Sequence, residues 1–168
     1  MLIRPAKREE LREAAAFLNA SWRAAYQHIF DPQYLASLDD EERYQRWLGN
    51  YDKGARPVLL FEHDELLGFC DFGPSQTPGY PDDGEVAAIY VRDDAIGKGY
   101  GHALLLHAEE ALLQQGYEQL VLDVLSKNER AIKFYRAHGY KKVGERIFAR
   151  GGIDYPLDIM RKRAAMPS

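Results

Sequence analysis

Cysteine is almost missing from this chain: Cys70 is the only one in 168 residues. No intrachain disulfide can form, and no cysteine-based zinc site exists. Cys70 lies in the strand-like apolar run LLGFCDF, where a lone thiol reads as a small buried hydrophobe. The five histidines (28, 63, 102, 107 and 138) show neither HxxxH nor HxH spacing, so no metal is expected. Apolar runs of about 18 residues are also lacking, as is a signal peptide, and the start MLIRPAKREE is charged from Arg4 onward. No membrane partner is expected, and a reduced, cytoplasmic setting is the default. Cations are not in excess either: 22 Lys and Arg against 26 Asp and Glu leave a net charge of −4. That balance argues against nucleic acid, whose phosphates are bound by clustered Lys and Arg. The run RKR at 161–163 is the one dense cationic stretch and reads as a solvated chain end.

What is present suits one globular domain, taken as residues 1–168: the length is ordinary for a domain, and 46% hydrophobic residues can build a core. LIRPA is a short strand pattern. Leu11, Ala15, Leu18, Trp22 and Ala25 then recur at helical spacing and predict a helix over roughly 8–25. Asp31 followed by Pro32 is a helix start, and DDEERYQRWL is another, with acids in its first turn. PVLLFE and LLGFCDFG flank HDE and predict a hairpin. GEVAAIYV (84–91) is apolar on both faces and so central in the sheet. A helix capped by Gly116 follows, then the strand QLVLDV, the helix NERAIKFYRAHG, and the strands YKKVGERIFA and IDYPLDIM. The order reads β-α-α-β-β-β-α-β-α-β-β, a mixed α/β sheet flanked by helices. The passage 84–124 is a crossover, so its two strands should be parallel neighbours.

Between that central strand and the next helix stands AIGKGYGHALLL, with Gly97, Gly99 and Gly101 at alternate positions. A strand, a glycine loop and a helix start together aim unpaired N–H groups and a positive dipole end at one point, which makes an anion site. A Walker A loop needs a hydroxyl residue after its lysine, and Lys98 is followed by glycine. A dinucleotide GxGxxG needs glycine at 102, where His102 stands. A tight turn without ligand needs one glycine, not three.

The loop, read as IGKGYG from Ile96 to Gly101, resembles the pyrophosphate loop (Gln/Arg)-x-x-Gly-x-(Gly/Ala) of the GNAT superfamily of N-acetyltransferases, with Ile96 in place of the usual Gln or Arg. NERAIKFYRAHGY matches the same family's second signature at Asn128, Ala131, Phe134, Tyr135, Gly139 and Tyr140. The resemblance is best from about Val58 to Met160 and only general over residues 1–50. It implies the GNAT fold, with a mostly antiparallel sheet, and acetyl-coenzyme A as co-substrate without a metal. The amides of Gly97, Lys98, Gly99, Tyr100, Gly101 and His102 would hold its pyrophosphate, with Ile96 opening the loop. Ile89 and Val91 would be backbone partners of the acetyl and pantetheine groups.

By the same resemblance Asn128 hydrogen-bonds the pantetheine arm and Tyr135 is the general acid that reprotonates the departing thiolate, a task suited to a phenol. Residue by residue, Asn128 also reads as a helix cap, in competition with a capping box of Ser126 and Glu129. Glu85, eleven residues before Ile96, matches the catalytic glutamate of some members; its plain reading is a surface residue at a strand start. Trp22, Tyr26 and Phe30 form a stripe at helical spacing, either core or a wall of the acceptor site, and Trp22, Tyr26 and Glu85 are the candidate substrate contacts. Asp71, Asp82, Asp83 and Glu85 form an acidic group that would suit a cationic amine. The acceptor is then a small-molecule or peptide amine, and family habit admits a homodimer. The alternative is a non-catalytic acyl-CoA-binding or regulatory module on the same fold.

Overall fold

The computed structural model describes residues 1–165 of the chain. Its seven strands form one sheet in the order β1-β2-β3-β4-β5-β7-β6: Leu2–Pro5, Val58–Glu62, Glu65–Pro74, Gly84–Val91, Gln119–Leu125, Lys141–Arg150 and Ile153–Arg163 are β1 to β7. The helices are α1 (Leu11–Tyr26), α2 (Pro32–Ala36), α3 (Asp40–Asp52), α4 (Tyr100–Gln114) and α5 (Glu129–Ala137). The sheet is mixed and mostly antiparallel. β4 is its middle strand, as its two apolar faces require, and it pairs in parallel with β5 at Gly84↔Leu120 and Glu85↔Val121.

Two details depart from the sequence pattern. Three helices precede β2 rather than two, because the Asp31–Pro32 start makes a short helix of its own. The first long helix begins at Leu11, behind a 3-10 turn over Arg8–Glu10, and so starts later than residue 8. Asp39 caps α3 by accepting a hydrogen bond from the Glu42 amide, which explains the abrupt start of that helix after Leu38.

The chain divides into two compact units, one of Met1–Asp71 with Ala88–Leu106, the other of Phe72–Ala87 with the chain from His107 onward. The core of the first unit is the helical stripe meeting the hairpin. Leu11, Ala14 and Leu18 of α1 bury against Leu59, Leu66 and Phe69, and Trp47 of α3 packs edge-on to Phe69 at 5.4 Å. Each fully buried Leu or Phe contributes about 1.5–3 kcal/mol. The hairpin turn is His63–Asp64, both at positive φ (51° and 63°), the geometry that matches the twist of two-residue hairpins.

In the second unit Leu120, Val121 and Leu122 of β5, Ile132 of α5, and Leu157, Ile159 and Met160 of β7 are buried. β7 is antiparallel to both β5 and β6. Among the described residues no helix is long and apolar enough to cross a membrane, and no group of three or more His, Cys, Asp and Glu could hold a metal ion.

Candidate active site

The glycine loop belongs to the first unit. β4 ends at Val91, a 3-10 turn spans Asp93–Ala95, and α4 begins at Tyr100. Gly97 and Gly99 sit at φ +86° and +89°, where an L side chain costs about 1–2 kcal/mol. A Cβ built on either would meet no atom of the protein within 4 Å. The glycines therefore serve the backbone conformation and whatever approaches from outside, not crowding within the chain. Gly101 is different: it has ordinary helical φ as the second residue of α4. The Ala103 amide donates to the Gly99 carbonyl (3.1 Å), so the amides of Tyr100 and Gly101 precede the first helical bond and have no acceptor in the helix. They stand at its positive end. Lys98 and His102 are exposed, and so is Ile96, which occupies the position of the family's Gln or Arg. The Tyr100 hydroxyl donates to Glu62 Oε2 at 3.2 Å, and burial with this carboxylate raises its phenol above the usual range. The residues present fit a diphosphate: exposed amides, no obstructing Cβ and a helix start.

The same unit carries the aromatic stripe, and the rings touch. Trp22 packs edge-on to Tyr26 (5.1 Å) and stacks on Phe30 (5.5 Å). The sequence pattern did not include what completes the group. Tyr90 of β4 places its hydroxyl 3.0 Å from that of Tyr26, and burial raises its pKa well above the ordinary phenol value. Along β4, Ala88 and Tyr90 pack on the first unit's core, so strand alternation directs Ile89 and Val91 to the other face. Arg43 of α3 lies over the Trp22 ring, 5.2 Å from its centroid. Tyr90 was legible by alternation; Arg43, 21 residues from Trp22 and in a polar run, carried no signal.

In the second unit Glu85 is not a surface residue at a strand start. It is buried, with Oε1 accepting from the Gln76 amide (3.0 Å) and the Thr77 hydroxyl (2.6 Å). Asp83 is also buried, bonded through both oxygens to Arg161 at 2.7 and 2.9 Å, and this partner raises the arginine's pKa. Two of the four acids expected to attract a cationic amine are therefore engaged inside the protein: Asp83 is neutralised and Glu85 is tied to the 75–77 turn.

Asn128 caps α5, its Oδ1 accepting from the Ala131 amide at 3.2 Å. Capping fixes the oxygen toward the helix and leaves the Nδ2 donors directed elsewhere. The competing Ser126 box does not form, because the Ser126 hydroxyl donates to Asp158 Oδ1 at 2.5 Å. Tyr135 is half-buried about two turns further on, its ring 5.3 Å from Phe134 and 5.8 Å from Tyr140. The far end of α5 is held by Lys162, which donates to the His138 carbonyl (2.9 Å) and pairs with buried Glu109 (3.0 Å). Tyr140 donates to the same carboxylate at 2.8 Å.

A model of the acetyltransferase (GNAT) family matches residues 19–140. The match reaches further toward the start than Val58, taking in the second half of α1 with α2 and α3, and it stops at Tyr140. The chain is 35% identical over 153 residues to an uncharacterized N-acetyltransferase of Bacillus subtilis, covering 90% of this chain and 86% of that protein. It is 38% identical over 90 residues to a peptidyl-lysine N-acetyltransferase of Escherichia coli, covering 54% and 53%. Among solved structures, the PaiA N-acetyltransferase of Thermoplasma acidophilum, in complex with coenzyme A, superposes with TM-score 0.76 at 23% identity, covering 96% of this chain and 98% of that one. At that identity the likeness shows the fold alone.

Proposed function

The chain belongs to the acetyltransferase (GNAT) family, and from that premise we propose that it moves an acetyl group from acetyl-coenzyme A directly to a primary amine of a small molecule or peptide. The observation that carries this reading is the loop in which Gly97 and Gly99 take left-handed φ with open space around them, at the start of α4. That is a cradle for a diphosphate, and its amides from Gly97 to His102 hold the pyrophosphate.

The co-substrate supplies the acetyl group already activated as a thioester. The protein's tasks are to hold it, to take a proton from the amine and to return one to sulfur. An alkylammonium has a pKa near ~10.4, so the attacking amine must lose its proton at neutral pH. Glu85 receives it through water. Its Oε1 is already taken by Gln76 and Thr77, which leaves Oε2 as the acceptor and fixes the plane of the carboxylate. Backbone groups of β4 at Ile89 and Val91 pair with the acetyl and pantetheine, an N–H there steadying the carbonyl oxygen as charge builds. Asn128 keeps its oxygen on the helix and offers Nδ2 to the pantetheine amides. The Tyr135 hydroxyl gives its proton to the departing sulfur. Cys70 takes no part: it is fully buried, and burial pushes its thiol well above the ordinary range, so no acyl-enzyme forms on it. Trp22 and Tyr26 wall the amine's site.

Acetyl-coenzyme A is mixed with a panel of amines, free thiol is read continuously, and the product mass is checked for one acetyl group. Thiol release that depends on the amine is expected. Tight coenzyme A binding with no transfer to any amine would instead favour a non-catalytic acyl-CoA-binding module.

A further inference from the structure

The other half-buried arginines of this protein each lie on a carboxylate. Arg4 is bonded to Glu10, Arg92 to Asp94, Arg146 to Asp123 and Arg161 to Asp83. Arg43 differs. It is half-buried, and among the described residues it has no carboxylate within 4 Å. Its Nε donates to the neutral amide oxygen of Asn19 at 2.5 Å. Asn19 is fully buried and bonds Asp40 Oδ1 through its own NH2 at 2.8 Å, so the acid three residues before Arg43 is engaged with the amide. Among the described residues neither Nη group of Arg43 has an acceptor, while the plane of the guanidinium is held by Asn19 and by the Trp22 ring beneath it. Burial lowers the pKa of Arg43, and the neighbouring cation Arg46 lowers it further. A guanidinium withdrawn from water without a bonded anion is unfavourable, and its fork is shaped for two oxygens of a carboxylate.

We infer that Arg43 is the anion-binding residue of the acceptor subsite, and that the amine acetylated here carries a carboxylate. The inference deepens the acetyl-transfer reading and rests on it for the amine. The two Nη groups take the carboxylate, and Trp22, Tyr26 and Tyr90 wall the remainder of the acceptor. The same cation excludes polyamines and other polycations, whose second ammonium would face it. An amine beside a carboxylate has two sources: a free amino acid, or a peptide with an acidic residue next to its N-terminus.

Calorimetric titration in the presence of coenzyme A compares the twenty L-amino acids with their carboxamides, and short peptides carrying Glu with those carrying Gln at the second position. In one of the two arms the acid binds roughly tenfold or more tighter than its amide partner, as expected for a paired charge with two hydrogen bonds. R43Q brings that ratio to about one. R43K, which keeps the charge and loses the fork, lowers it at least roughly threefold and carries the test if R43Q does not fold. Acid and amide binding equally in both arms, or a ratio that survives in folded R43Q, overturns the inference. Acid-selective binding without thiol release would sink the acetyl-transfer reading and leave Arg43 standing. Thiol release without acid selectivity would do the reverse.

Discussion

Replacing Gly99 by alanine separates a loop that serves the chain from one that serves a ligand. At φ +89° the new side chain is strained by about 1–2 kcal/mol. Loss of conformational freedom in the unfolded chain offsets about 0.4–1 kcal/mol of that. The added Cβ meets no protein atom within 4 Å, so no steric term enters. The net loss is about 1 kcal/mol, which for a chain of this size lowers Tm by about 2–4 °C. Gly116 at the end of α4 has φ +97° and equally open surroundings, so Gly116→Ala predicts the same change in Tm. The two variants part in the kinetics. In the proposed cradle a Cβ at 99 would stand where a phosphate oxygen meets the amides, and losing one hydrogen bond to a charged group costs about 1.5–3 kcal/mol, on the order of 10- to 100-fold in affinity. KM for acetyl-coenzyme A, read from thiol release, should rise by that factor in Gly99→Ala and stay put in Gly116→Ala. Matched Tm shifts with no difference in KM would refute the cradle and leave the loop as a turn.

Asn128→Asp keeps an oxygen to cap α5 and loses the amide donors, so Tm should hold while KM for acetyl-coenzyme A rises; Asn128→Ala should lose about 1 kcal/mol of stability as well. A KM that follows stability in both variants would reduce Asn128 to a cap. Tyr135→Phe should lower kcat far more than it weakens coenzyme A binding, and an unchanged kcat would remove the phenol from the reaction. Glu85→Gln retains an oxygen for Gln76 and Thr77, so the fold is expected to persist while kcat falls about 10²- to 10⁴-fold and the pH–rate profile moves; a profile identical to the parent would make Glu85 a clamp on the 75–77 turn. Cys70 should not react with an aromatic disulfide at pH 8 until denaturant is added, and then once per chain; rapid reaction of the folded protein would contradict its burial.

Much of this architecture is legible because local rules decide it. The apolar stripe of α1, the two-sided β4, the crossover into β5 and the glycine loop each follow from spacing within a short window. The second signature marks α5 and its cap for the same reason. What escaped depends on partners outside the local spacing pattern. Glu85 looks like a surface acid until Thr77 and Gln76 fold over it, and Asp83 looks free until Arg161, 78 residues later, reaches it. Ser126 satisfies every local requirement of a capping box, yet Asp158 of β7 takes its hydroxyl. Arg43 is the clearest case, since among the described residues its character comes from the lack of a bonded carboxylate, and a lack has no periodicity.

The hairpin turn between β2 and β3 bears on how freely the rest can change. His63 and Asp64 both hold left-handed φ without being glycine, a position where Asn-Gly is the natural occupant. Neither residue has a part in the chemistry derived above. The protein thus keeps an unused reserve of stability on order of 1 kcal/mol in a place where relieving strain does not touch transfer. A lineage exploring new acceptors through α1 and α3, where altered residues tend to loosen packing, can draw on that reserve before it falls below the threshold for folding.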